Sequence, residues 1–182
     1  SGRYISTNHN KVGSMREALM SVYGPPDVVF ERGEGVRLYT DDGREFLDFI
    51  AGISVNCLGH AHPKLVAALE GQAGKLWHLS NMFRVPDAER LSERYVADTF
   101  ADKVFFTNSG TEAIECALKT ARKYHYINDD PERIRILSFE GSFHGRSLGA
   151  INAGANPKYR EGFGPTMEGF THLPFGDLAA VE

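Results

Sequence analysis

Cysteine is scarce: the 182 residues hold only Cys57 and Cys116, far apart and in unlike surroundings. A disulfide framework of the kind that staples small secreted domains is therefore excluded, and both are expected to be reduced, buried thiols of a cytoplasmic protein. A catalytic thiol would need a paired base, and none lies nearby in sequence. Runs of Lys and Arg are also missing and the formal net charge is -4, so the clustered positive charge that a nucleic-acid backbone demands is not there. No apolar stretch has the length of a bilayer crossing, and no apolar segment follows the first basic residues as it would in a secretory signal. Neither internal repeats nor low-complexity tracts occur. What remains, 42% hydrophobic and 24% charged residues, is the composition of an ordinary globular protein. The length suffices for one domain with a real core, or for one domain and a piece of another.

Residues 1–14, SGRYISTNHNKVGS, are polar and aperiodic and read as an appended leader. Between Val28 and Ile53 short runs with alternating apolar residues are separated by Gly33-Glu34-Gly35 and Asp41-Asp42-Gly43, which predicts an antiparallel meander. The period then changes. Leu65, Val66, Leu69, Ala73 and Leu76 predict a helix opened by Pro63, and Leu91, Tyr95 and Val96 a second one opened near Pro86-Asp87. Further strands are expected over Val104–Thr107 and Ile134–Phe139, with a long helix between them, so a β element at 15–60 leads into an α/β layer at 61–182. The last residues, PFGDLAAVE, look like the first turn of a helix capped by Asp177. A domain seldom ends there, and the sequence is expected to be the front part of something longer.

The stretch FFTNSGTEAIECALKTARKYHY, residues 105–126, carries the first chemical signal. Ile114, Ala117, Leu118, Ala121 and Tyr124 recur at helical spacing, which puts Ser109-Gly110-Thr111 at the helix start. Unpaired N–H groups and the positive end of the helix dipole favour an anion such as phosphate there. Gly110 lets an anion approach the backbone, and two hydroxyls add donors. Ser109-x-x-Glu112 is equally a capping box that needs no ligand, so the residues alone leave both readings open.

The second signal is SFEGSFHGRSLGA, residues 138–150. It follows an expected parallel strand, and ligands of α/β sheets collect at the carboxyl ends of such strands. Phe143 could stack on a planar ligand and Arg146 could grip a carboxylate with two parallel hydrogen bonds. Read singly, they are as well explained as a core aromatic and a solvated surface charge.

NSGTEA followed some thirty residues later by SFHGR resembles the class III aminotransferases, fold type I α/β enzymes that use pyridoxal 5′-phosphate. LDFIAGISVNCLGHAHP, KLWHLSNMFR, PKYREGFGP and HLPFGDLAAVE extend the similarity from about Tyr23 to Glu182. The resemblance implies a partial fold type I transferase: a small-domain β-meander segment plus the first part of the large cofactor-binding domain. It implies that Ser109, Gly110 and Thr111 hold the cofactor phosphate, that Phe143 covers the pyridine ring, and that Arg146 binds the substrate α-carboxylate. Asn81 and Phe83 would line the substrate entrance. Amino-acid and 2-oxo-acid substrates and a homodimer follow from the same resemblance, with no nucleic-acid or membrane partner. The lysine that bonds the cofactor and the aspartate that pairs with the pyridine nitrogen are expected beyond Glu182, because Lys64, Lys75, Lys119, Lys123 and Lys158 do not stand in the matching context. No catalytic residue is thus expected within the chain.

Gly59-His60-Ala61-His62-Pro63 has two histidines two apart, but nothing is spaced to complete a zinc site, and a structural turn before a helix is expected. Two rivals stay open. One is another member of the family, acting on ornithine or 4-aminobutyrate, and the other a non-catalytic phosphate-binding or dimerisation module.

Overall fold

A computed structural model of the chain describes residues 20, 22, 23 and 28–182; the leader expected at 1–14 lies outside them. The chain divides into two compact units, the first ending at Arg84 and the second beginning at Val85. Among the described residues no helix is long and apolar enough to cross a membrane.

In the first unit β1 (Phe30–Glu34), β2 (Arg37–Thr40) and β3 (Glu45–Leu47) form the expected antiparallel meander, in the order β1-β2-β3. The second turn is tied at its base. Thr40 Oγ1 accepts from the Arg44 N–H at 2.9 Å and donates to Asp42, while Arg44 Nε lies 2.9 Å from the Asp42 carboxylate. The Arg44 side chain first, and Thr40 second, hold the Asp42 carboxyl at about 2. One face carries an edge-on contact of Phe30 with Phe46, ring centroids 5.4 Å apart. Past β3 the chain makes a single turn, α1 (Ala51–Ser54), whose residues are left-handed: φ is 47° at Ala51, 63° at Gly52, 65° at Ile53 and 63° at Ser54.

A β-branched residue avoids that region, so something must hold α1 in it. Asp48 accepts from the N–H groups of Ile50 (2.9 Å) and Ala51 (2.8 Å) with one oxygen and pairs with His60 Nε2 at 2.7 Å with the other. The His60 hydrogen bond, followed by that of Ala51, pulls the Asp48 carboxyl below its ordinary range. His60 is itself fixed by a bridge to Gly35, with N···O distances of 2.9 and 2.7 Å. It packs so tightly on Gly33 that a Cβ there would lie 2.7 Å from the His60 Cβ. The GHAHP stretch is thus a turn, and α2 (Pro63–Ala73) begins at its proline. Cys57, expected to be buried, is exposed, because it lies in the turn between α1 and Gly59 that no other described segment of this unit covers.

The second unit opens with α3 (Pro86–Asp98), led by proline as expected, and continues with α4 (Gly110–Ile127), β4 (Ile136–Phe139), α5 (Leu148–Ala153), α6 (Pro157–Arg160) and β5 (Phe170–Leu173). β4 and β5 pair in parallel, Ile136 opposite Phe170 and Phe139 opposite Leu173. Its core is small and centres on α5, where Ala150, Ile151 and Ala153 are at most 5% exposed. Two buried polar groups there are satisfied: Ser138 Oγ donates to the Ala153 carbonyl at 2.6 Å, and Asn152 Oδ1 accepts from Met167 N at 3.0 Å. Arg122 ties α4 to the sheet, donating to the carbonyls of Glu168 (3.1 Å) and Ile134 (3.3 Å).

Two expectations fail here. Val104–Thr107 is not a strand, and Phe105 is 72% exposed. A strand exists only with a partner ladder, and no described segment lies alongside to supply one. The close of the chain, PFGDLAAVE, forms turns rather than a helix. Asp177 does accept from Ala180 N at 3.1 Å as an N-cap would, but the backbone bond that follows, Val181 N to the Leu178 carbonyl at 3.1 Å, is a single tight turn, too little to nucleate a helix.

Candidate functional site

The first turn of α4 is the natural starting point. Ser109 stands at the N-cap with extended backbone, and its Oγ accepts from Glu112 N at 3.2 Å. The Glu112 carboxylate closes the box one residue further out than usual, on the Asn108 N–H at 2.7 Å and the Asn108 side-chain amide at 3.3 Å. The capping box is therefore formed. Gly110 lies on the open side of it: a Cβ built there would meet nothing within 4 Å. The N–H groups of Gly110 and Thr111 belong to the turn whose donors no intrahelical carbonyl can take.

Thr111 faces the other way, onto the loop that β4 delivers. At Gly145 the backbone has φ +115°, and a Cβ would lie 2.8 Å from the Thr111 Cβ, so only glycine lets the two segments meet. One helical turn on, Glu115 repeats the contact. Ser147 Oγ donates to its carboxylate, and a Cβ at Gly149 would lie 2.6 Å from Glu115 Oε1. The pairs Thr111/Glu115 and Gly145/Gly149 share a spacing of four, so one face of α4 interlocks with the loop after β4 and the first turn of α5.

That interlock brings the residues singled out at 109–111 and 143–146 together. Phe143 is 64% exposed, with its ring centroid 6.0 Å from that of Tyr159 at an interplanar angle of 79°. Arg146 is exposed and its guanidinium carbon lies 4.7 Å from the centre of the same Tyr159 ring. Asn81 and Phe83 belong to the first unit, both exposed, in a turn where Phe83 N donates to the Ser80 carbonyl at 3.0 Å. Among the described residues no group of three or more His, Cys, Asp or Glu side chains could hold a metal ion. A concavity of about 1000 Å³ runs along α4 past Glu112, Glu115 and Tyr126, but neither Phe143 nor Arg146 borders it. Reading the sequence passed over Gly145, Glu115 and Tyr159. The matched spacing of four was a signal for the first two, whereas nothing in KYR marks the tyrosine.

The family described as aminotransferase class-III matches residues 20–182. The chain belongs to the class III aminotransferases. This family uses pyridoxal phosphate to move amino groups between amino and oxo acids. Over 163 residues the chain is 59% identical to the acetylornithine aminotransferase of Brucella melitensis, covering 90% of this chain and 40% of that protein. The crystal structure of N-acetylornithine aminotransferase from Stenotrophomonas maltophilia superposes with a TM-score of 0.70 at 41% identity, over 87% of this chain and 38% of that one. The ornithine aminotransferase of Toxoplasma gondii, whose structure shows partial occupancy of PLP at the active site, gives a TM-score of 0.82 at 31% identity, over 91% and 39%. The meander and the α/β unit are accordingly part of the class III, fold type I architecture. The chain spans about two fifths of the length of the curated relatives it matches, 40% for the Brucella protein.

Proposed function

We propose that these residues form the phosphate-, ring- and carboxylate-contacting part of an acetylornithine aminotransferase, which exchanges the amino group of N-acetylornithine with 2-oxoglutarate in arginine biosynthesis. The observation that supports this reading is the interlock of Gly145 with Thr111, which joins the loop carrying Phe143 and Arg146 to the first turn of α4. The residues present fit pyridoxal phosphate: Gly110 leaves open space over first-turn donors, and the Phe143 ring is largely uncovered. Ser109, Gly110 and Thr111 hold the phosphate through first-turn N–H groups, with the Ser109 hydroxyl beside them, while the Thr111 side chain packs on Gly145. Phe143 covers one face of the ring and keeps water from it. Arg146 takes the carboxylate of the amino acid and then of the oxo acid in a two-bond fork, which orients the carbon that gains or loses a proton. Asn81 and Phe83 border the substrate entrance. When bound, the cofactor supplies the electron sink that makes that proton labile. The protein is cytoplasmic and homodimeric in this reading.

Identity favours the acetylated donor, at 59% to the Brucella protein, over ornithine, at 31% to the Toxoplasma protein, although the Toxoplasma structure superposes better than the Stenotrophomonas one. Comparing N-acetylornithine, ornithine and 4-aminobutyrate as donors for the complete gene product decides between them. In that enzyme Arg146→Lys replaces a planar fork by a point charge. KM for amino and oxo acids alike rises about tenfold or more, the loss of one charged hydrogen bond, while cofactor affinity stays nearly constant. Equal loss of cofactor would show a structural arginine instead.

A further inference from the structure

Phe143 and Arg146 are three residues apart on one loop, and a single side chain from another element touches both. Tyr159 belongs to the one-turn helix α6, which is itself well anchored: Pro157 leads it, Asn156 Oδ1 caps Lys158 N at 3.0 Å, and Tyr159 N donates to the Asn156 carbonyl at 3.1 Å. Its half-buried ring meets Phe143 nearly at right angles, 6.0 Å between centroids, and lies 4.7 Å from the Arg146 guanidinium carbon. Both contacts are made by the π system: an aromatic pair in edge-on geometry and a cation beside a ring. Phe143 is 64% exposed, so the loop backbone alone leaves its rotamer much freedom.

We propose that Tyr159 is a positioning residue for the amino-transfer site, its ring setting the side-chain conformations of Phe143 and Arg146 together. The surface offered to the cofactor ring and the fork offered to the substrate carboxylate then keep one fixed spacing. The inference rests on the roles given above to those two residues. Because the ring makes both contacts, the phenolic hydroxyl is dispensable.

The test uses the complete enzyme with Tyr159→Phe, Tyr159→Met, Arg146→Ala, Phe143→Leu and the double variant Tyr159→Met/Arg146→Ala. Methionine fills similar volume without a π face, and circular dichroism with a thermal melt checks that each variant folds. Tyr159→Met is expected to raise KM for both the amino and the oxo acid about five- to tenfold, the loss of a cation–π contact. It should also weaken pyridoxal phosphate binding, followed by the cofactor's absorbance, and Tyr159→Phe should restore wild-type values. In the Arg146→Ala background Tyr159→Met should add no more than about twofold to KM, because the group it positions is gone. Full additivity of the two changes would overturn the inference, as would a Tyr159→Phe variant as impaired as Tyr159→Met. A Tyr159→Met protein that does not fold while Tyr159→Phe does would assign the ring to the core rather than to the site, and overturn it too. If Arg146→Ala and Phe143→Leu themselves leave KM and cofactor affinity unchanged, the proposed site is wrong and this inference falls with it.

Discussion

At the scale of single residues, two glycines do opposite things. Gly110 keeps space empty, whereas Gly145 lets two segments touch. Gly110→Val puts a branched side chain into the open space over the first turn of α4. It should abolish binding of pyridoxal phosphate or sulfate while changing unfolding free energy by no more than about 0.5 kcal/mol, because valine is no worse a helix former than glycine. Retained anion binding, measured by calorimetric titration, would leave Ser109 and Glu112 as a plain cap. Gly145→Ala should behave in the reverse way. A methyl group there meets Thr111 and the backbone has φ +115°, so a loss of about 1–3 kcal/mol is expected in urea unfolding. Asp48 works through bonds rather than space, holding two backbone N–H groups and His60 at once.

At the scale of elements, the left-handed turn α1 depends on that carboxylate. The Asp48 pKa is depressed in the folded chain, so its contribution to stability is fully present above the ordinary carboxylate pKa of about 4. It is lost as pH falls through the lower folded value. Asp42, held at about 2 by Arg44, extends the same acid-side loss to that pH. Thermal melts between pH 6 and 2 should therefore show the first unit weakening on acidification, and Asp48→Asn should flatten the dependence. A variant with an unchanged pH profile would show that α1 is held by something else. The α4 helix illustrates the opposite balance. Its cap is made within five residues, from Asn108 to Glu112, yet none of its eighteen residues is buried. Local bonds start it, and contact with α5 and the sheet positions it.

Over the whole molecule, apolar surface is the dominant fact. Among the described residues Ala150, Ile151 and Ala153 are the only buried hydrophobic side chains, while Phe49, Trp77, Met82, Phe100 and Phe175 are each at least 85% exposed. Faces of that size call for cover, from further chain or from a second copy. The 182-residue chain by itself should accordingly self-associate, and sedimentation should show species larger than a monomer that grow with concentration. A clean monomer over a wide range would count against the proposed dimer.

Much of this protein was legible in its sequence for one reason: caps, turns and amphipathic periods act over one to four residues. Pro63 and Pro86 opened their helices, Ser109 and Glu112 formed their cap, and the turns at Gly35 and Asp41–Gly43 produced the meander. The motifs around Ser109 and Phe143 were enough to name the family. Other features depended on partners that no local pattern announces. Val104–Thr107 has strand character but no neighbour to pair with, whereas Phe170–Leu173, unmarked as a strand, found one in β4. Cys57 is exposed because nothing described covers its turn. The contact of Thr111 with Gly145 spans more than thirty residues, and that of Arg122 with Glu168 spans 46. Tyr159 was invisible for the same reason: its neighbours Phe143 and Arg146 become neighbours only when the loop after β4 folds back against α6. The sequence by itself determined which residues could bind a phosphate, a ring and a carboxylate. Tertiary packing decided which of them stand together, because close contact between distant segments is set by the path of the whole chain.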